Sequence, residues 1–306
     1  QALLVDSANA GAGMVVAKRL HLITAVLCAL FYPLFMFMPD YVHTSYWPGI
    51  EQTSDAVKSM KYLFMVYADF LLAAISVMYA VSRTKDPVLL KRSCLLCALI
   101  CISACLFAFY ALASGFGGPG NYSTLAVDGL LCAVFVYGYI KLGNVHAPQD
   151  DQATEGAVLA KRMLFWVGAL CCCVGLELLL APEGFLTTNY YPGLSSETAA
   201  GTLTNTLCYK WCGLFSLSWG PELILVSYSS DVSTMKDASG LTALLWAYGT
   251  LFYGWLCYIE VAGNLMRSMV VMDVILTSLW CYTFFTTKGA VASASGSLFS
   301  KAREAA

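Results

Sequence analysis

Apolar residues in this chain come in long runs and not in alternation with polar ones. Eight such runs stand out, at 20–38, 60–81, 93–115, 124–140, 163–181, 207–228, 241–262 and 268–287. Each is close to the roughly 20 residues an α-helix needs to cross a hydrocarbon core. A membrane β-barrel would show short alternating strands instead. The pattern therefore predicts an all-α fold, a polytopic membrane helical bundle of eight transmembrane helices. Pro33 in the first run predicts a kink, and Gly220-Pro221 a break in the sixth, because proline lacks an N–H and crowds the preceding turn. The stretch Gly115-Phe116-Gly117-Gly118-Pro119-Gly120-Asn121 is a strong breaker between the third and fourth. Residues 39–59 and 182–205 read as two long loops, and 263–267 as a tight turn.

The pattern also repeats. Lys18-Arg19 opens an apolar run, Pro39-Asp40 ends it, and Tyr46-Trp47-Pro48-Gly49-Ile50 follows. Lys161-Arg162, Pro182-Glu183 and Tyr190-Tyr191-Pro192-Gly193-Leu194 repeat this at offsets of 143, 143 and 144 (161−18, 182−39, 192−48). Further matches align Lys61 with Lys210 and Tyr79 with Tyr228 at 149, Gly115 with Gly263 at 148, and Asp128 with Asp273 at 145. Four helices is an even number, so both copies enter the membrane in the same direction. The result is two parallel four-helix repeats, unlike the inverted repeats of many transporters. The expected organisation is an N-terminal tail 1–19, a first repeat 20–143, a linker 144–160, a second repeat 161–288 and a C-terminal tail 289–306.

Charge orients this arrangement. Thirteen of the seventeen lysines and arginines fall on the side that holds both termini; only Lys58, Lys61, Lys210 and Arg267 fall on the other. The positive-inside rule places the termini on the cytoplasmic, stromal or matrix side. Composition agrees with a membrane protein: 12% of residues are charged, about half the usual quarter of a soluble domain. A net charge of −2 gives nucleic acid no purchase. The thirteen cysteines all lie in apolar runs, which reads as reduced packing residues, since disulfides staple exposed segments of secreted chains. The chain opens on Gln1, which fits an imported, processed precursor.

Six acids fall within the runs: Asp69, Asp128, Glu177, Glu222, Glu260 and Asp273. Charge is costly in lipid, so each is a candidate for a proton or cation path, or else an interhelical or headgroup contact. Lys61, Lys210 and Arg267 are the pairing candidates. Glu222 beside Gly220-Pro221 is the sharpest local feature, because broken helices with nearby acids form ion sites. Cys94, Cys97, Cys101 and Cys105 share one helix face. At 1.5 Å per residue they span roughly 16 Å, too far to share one metal ion. No metal site is expected from them.

Of the histidines, only His21 is near a run, placed at the membrane border. It is the candidate ligand for a cofactor such as the magnesium of chlorophyll, and no haem is expected. Tyr248, Tyr253, Trp255 and Tyr258 could line a groove for pigment or lipid. No phosphate loop, metalloprotease helix or nucleophile elbow is present, and the chain carries no catalytic residue set.

The expected function is a non-catalytic accessory subunit of a larger energy-transducing membrane complex. It would pack other membrane subunits, lipid, and chlorophyll or carotenoid pigment. An organellar membrane is expected, a thylakoid photosystem ahead of the mitochondrial inner membrane. The alternatives are a proton- or cation-coupled transporter using the six acids, and a membrane enzyme with a lipid substrate acting through His43 and Glu51.

Overall fold

The computed structural model describes residues 2–146, 155–182 and 190–287. Among them are nine helices and no strand: α1 Ala2–Phe37, α2 Pro39–Tyr46, α3 Ser54–Arg83, α4 Pro87–Ala113, α5 Pro119–Leu142, α6 Glu155–Leu180, α7 Ala199–Ser227, α8 Val232–Tyr258 and α9 Asn264–Thr286. The fold is an all-helical bundle of a kind suited to a membrane. Its outer faces are apolar, with Leu30, Leu106, Leu130, Leu180 and Phe285 exposed.

Among the described residues six helices are long and apolar enough to cross a membrane: α1 from Gly11, α3, α4, α5, α6 from Gly156, and α9. The hydrophobic runs predict eight. The two that fall short, α7 and α8, carry Thr, Ser, Gly, Tyr and Trp along their length. In α7 this follows from position. It packs on α6, α3 and α4, and Thr204, Asn205, Ser216, Ser218 and Glu222 are all buried there.

Several expectations change. Residues 2–19 are the start of α1 and not a loose tail. Pro33 and Pro221 lie inside continuous helices, so neither ends its element. The loop 39–59 contains α2, with Pro39 at its first position, where a missing N–H costs nothing. The turn before α9 closes at Gly263, not at 267. The middle of the linker (147–154), part of the second loop (183–189) and the C-terminal tail (289–306) lie outside the described residues.

Helix starts show how the halves correspond. Thr53 and Thr198 are the N-caps of α3 and α7, Asp86 and Asp231 of α4 and α8, and Gly118 and Gly263 of α5 and α9. All three pairs are 145 apart (198−53, 231−86, 263−118). The ends of α1 and α6, Phe37 and Leu180, are 143 apart (180−37). In this register Gly118, not Gly115, corresponds to Gly263. Lys61 and Lys210 no longer match, nor do Tyr79 and Tyr228, because the caps set the register of the second helix in each half.

The halves also grip each other reciprocally. Asp86 Oδ2 accepts hydrogen bonds from Ser229 Oγ at 3.0 Å and the Ser230 N–H at 3.1 Å. Asp231 Oδ2 accepts from Thr84 Oγ1 at 3.2 Å and the Lys85 N–H at 2.6 Å. Each aspartate also caps its own helix, Asp86 through Val88 and Leu89, Asp231 through Ser233. A cap of this kind stabilises by about 1 kcal/mol. At the opposite end Thr53 and Thr198 meet through their hydroxyls at 3.1 Å, and Asp55 accepts from the Thr198 hydroxyl. Between these ends α3 lies against α7.

Inside the second half, α6 and α7 touch at glycines spaced seven apart. A Cβ on Gly220 would lie 2.7 Å from the Gly168 carbonyl oxygen, and one on Gly213 would lie 2.8 Å from that of Gly175. Such small-residue seams let membrane helices pack backbone to backbone. Gly220 is thus a packing residue and not a break.

Candidate functional site

Three polar constellations lie inside the bundle. The first joins α1, α4 and α7. His21 is fully buried, as is Ser93, and Glu222 is 3% exposed. His21 Nδ1 donates to the Ala17 carbonyl at 2.8 Å, which leaves Nε2 to face Ser93 Oγ at 2.6 Å. Ser93 Oγ lies 2.7 Å from Glu222 Oε1. Cys97, one turn beyond Ser93, places Sγ 3.5 Å from Glu222 Oε1 and 3.9 Å from His21 Nε2. The ring of Phe135 from α5 covers the imidazole edge-on at 5.3 Å between centroids.

Protons can be counted along this chain of contacts. The Ala17 carbonyl only accepts, so Nδ1 holds a hydrogen. Each of the two remaining links needs one more, and the serine supplies only one of them. The other sits on Nε2 or on Glu222, so the group carries no net charge in either form. That is how a carboxylate and an imidazole can lie together in a dry core. The sequence places His21 at the membrane border; within the fold its imidazole is buried against α4.

The other two constellations are cavities, and they correspond. One, of about 300 Å³, is lined by Cys28, Phe35, Tyr46, Tyr67, Asp128 and Trp211 among others. The other, of about 160 Å³, is lined by Asp69, Glu177, Tyr191, Cys212, Tyr253 and Asp273 among others. Asp128 and Asp273 are 145 apart (273−128), as are Tyr67 and Cys212 (212−67). Each cavity is closed partly by the opposite half, through Trp211 and Phe215 in the larger and Val66 and Phe70 in the smaller.

Charge distinguishes the two. The smaller cavity gathers three of the six sequence-predicted acids, Asp69, Glu177 and Asp273. The larger has Asp128, with Leu214 where its counterpart has Asp69. Tyr253 donates its hydroxyl to Asp69 Oδ2 at 2.7 Å, while Asp69 Oδ1 is buried without a partner. Burial of such a carboxylate is costly unless something satisfies it.

Glu260 lies elsewhere. It is exposed at the end of α8 with φ of 61°, in the place held by Gly115, whose φ is 80°. The expected pairing of acids with cations is not found. Among the described residues the one salt bridge is Arg83 with Asp237 at 3.4 Å. Lys61 and Arg267 are exposed, Lys61 over the Tyr62 ring and Arg267 against Asn264. Lys210 is half-buried with no ion pair to those acids.

His43, considered for enzyme chemistry, is 1% exposed beneath Trp47, with neither ring nitrogen hydrogen-bonded. Burial lowers its pKa against the raising effect of Asp40. Glu51 is exposed and makes no contact that would join it to His43 in a site. The sequence pattern does not single out Ser93 or the role of Cys97. Their spacing of four on one helix is visible, but nothing in the chain tells that His21 and Glu222 arrive opposite them. No known protein family, no curated protein and no solved structure matches this chain.

Proposed function

We propose that this protein is a non-catalytic integral-membrane binding protein whose two corresponding cavities each hold an apolar ligand, anchored by one carboxylate. The observation that carries this reading is the recurrence of a half-enclosed apolar cavity with an aspartate at the same place in both halves, Asp128 and Asp273. Ligand sites are mostly apolar with a few fixed polar groups. The ligand is a lipid-like molecule with a hydrogen-bond-donating head, hydroxyl or ammonium, that meets the aspartate. A carotenoid or the tail of a chlorophyll has the same apolar body, and an absorption spectrum of the purified protein separates pigment from lipid.

The test is native mass spectrometry of the full chain released from a mild detergent. Retained adducts of lipid mass are expected. Asp128→Asn and Asp273→Asn should each weaken retention about 10- to 100-fold, the worth of a hydrogen bond to a charged group. A wild-type chain free of adducts, or adducts indifferent to both changes, sinks the reading.

A second reading, a proton- or cation-coupled carrier, is favoured by the convergence of Asp69, Glu177 and Asp273 on one cavity. In proteoliposomes, loss of ion-coupled uptake in Asp69→Asn, with ligand retention intact, would support the carrier.

In both readings α7 and α8 also cross the membrane, giving eight spans as two parallel repeats. Their lower hydropathy goes with polar residues on the faces they turn to other helices, such as Ser216, Glu222, Ser239 and Thr242. The termini lie on the side rich in lysine and arginine. Membership in a larger organellar complex adds protein partners to the binding role. A native gel on mildly solubilised membranes tests that part, and migration near the chain's own mass overturns it.

A further inference from the structure

We propose that His21, Cys97 and Glu222 form a binding site for one divalent transition-metal ion of the zinc class. Their ligand atoms, an imidazole nitrogen, a thiol sulfur and a carboxylate oxygen, come from three helices and all lie within 4.8 Å of one another. A tetrahedral ion with nitrogen and oxygen at about 2.0–2.2 Å and sulfur at about 2.3 Å separates its ligands by about 3.3–3.8 Å. The sulfur already lies 3.9 Å from Nε2 and 3.5 Å from Oε1. The remaining pair, Nε2 and the carboxylate oxygen, lies within 4.8 Å with Ser93 Oγ between them, so side-chain movements of up to about 1.5 Å close the triad on an ion. The four cysteines along α4 cannot do this, and Cys97 joins the site through partners on other helices.

Two independent features point the same way. The first is the bond from His21 Nδ1 to the Ala17 carbonyl. It holds a hydrogen on Nδ1, the outer support that metal-binding histidines almost always have, and turns Nε2 toward the cluster, where loss of the shared proton frees its lone pair. The second is Glu222 Oε2, a buried carboxylate oxygen with no hydrogen-bond partner. A cation held by both carboxylate oxygens would supply the partner it lacks. Ser93 Oγ, between His21 and Glu222, is the neutral donor within reach of the fourth position.

Charge balances. The ion displaces two protons: the one on Cys97 sulfur and the one shared along the His21–Ser93–Glu222 chain beyond those on Nδ1 and the serine. Thiolate and carboxylate together cancel the two positive charges, so the core stays neutral. Coordinated thiols are bound as thiolates in this way.

The corresponding positions in the second half are Leu164 for His21, Ala238 for Ser93, Thr242 for Cys97 and, in the first half's α3, Val77 for Glu222. That set cannot ligate a metal, so the stoichiometry is one ion per chain and not two.

The experiment uses the full chain in detergent, equilibrated with Zn²⁺, desalted and assayed for bound metal, with a parallel Co²⁺ titration followed by absorption. One tightly held zinc per chain is expected. Cobalt should give a tetrahedral spectrum with a thiolate-to-metal charge-transfer band. Cys97→Ala should abolish that band while Cys94→Ala keeps it, and Glu222→Gln should weaken zinc at least about tenfold. The cysteine pair guards against misfolding, since each swap removes one sulfur from the same helix face. No metal above the Cys97→Ala level, two equivalents per chain, or a cobalt spectrum without a thiolate band would each overturn the site.

Discussion

The same helical frame is built twice in this molecule and filled differently. Where α1 and α4 of the first half meet α7 of the second, His21, Ser93, Cys97 and Glu222 are linked by hydrogen bonds. At the corresponding junction the second half holds Leu164, Ala238 and Thr242 with Val77, and all but Thr242 belong to an apolar cluster that includes fully buried Trp280. Trp280 stands where Phe135 covers His21 (280−135 is 145). The cavities differ the other way, with three acids in the second half's cavity and one in the first's. The same backbone positions therefore carry a hydrogen-bonded polar set at one junction and a mostly apolar set at the other. An apolar set needs no partners, whereas a buried polar set depends on those it has.

The sharpest way to break this comparison is to transplant one member alone. Val77→Glu puts a carboxylate opposite Leu164 and Ala238, with no histidine or serine there to meet it and the Thr242 hydroxyl as the one polar side-chain group of the set. An unpaired buried charge costs about 3–5 kcal/mol. The expected outcome is loss of the monodisperse folded species on size exclusion in detergent. A Val77→Glu chain that unfolds at the wild-type temperature would show that the second junction is not the dry site described.

A smaller effect is expected at the α6–α7 seam. Gly220→Ala forces a methyl group against the Gly168 carbonyl and should destabilise by about 1–3 kcal/mol, as overpacking does. The corresponding residue in the first half is Ile75, half-buried and not a glycine, so Ile75→Val should cost about 1 kcal/mol or less. Thermal unfolding of the two variants side by side checks the contrast.

The reciprocal caps allow a test by pH. Burial pushes the Asp231 carboxyl up, but hydrogen bonds from Ser233, the Lys85 N–H and Thr234 outweigh it and hold the group below the usual carboxylate range. A depressed carboxyl stabilises the fold above the ordinary pKa, and that contribution is lost as pH falls through the folded value. Asp231→Asn should thus lower stability at neutral pH by about 1 kcal/mol and lose less than wild type on acidification. Parallel pH curves for the two proteins would contradict this.

A further effect sharpens the comparison at a single turn. Glu260 adopts the left-handed backbone that Gly115 adopts in the first half. A side chain there costs about 1–2 kcal/mol. Glu260→Gly should raise stability by up to about that amount, and Gly115→Glu should lower it. A rise in the unfolding temperature of the first variant, read by differential scanning fluorimetry, is the check.

Much of this frame is legible in the amino-acid sequence. Long apolar runs separated by proline- and glycine-rich breakers identify helices, because neither residue continues a helix well. The repeat is legible where loops are short, as at Asp128 and Asp273. It misleads at the second helix, where Lys61 and Lys210 look alike but the capping residues Thr53 and Thr198 set the register. The acids are legible as unusual, yet not their partners.

The chain by itself determined an all-helical bundle suited to a membrane, and the residues too polar for lipid. Local composition suffices for this, since helix formation and membrane burial depend on near neighbours along the sequence. The tertiary structure decided which polar residues meet. His21, Cys97 and Glu222 are separated by 76 and 125 residues, and only the packing of α7 from one half against α4 of the other closes that distance. Side-chain encounters between helices depend on crossing and rotation, which the pattern along one helix does not encode.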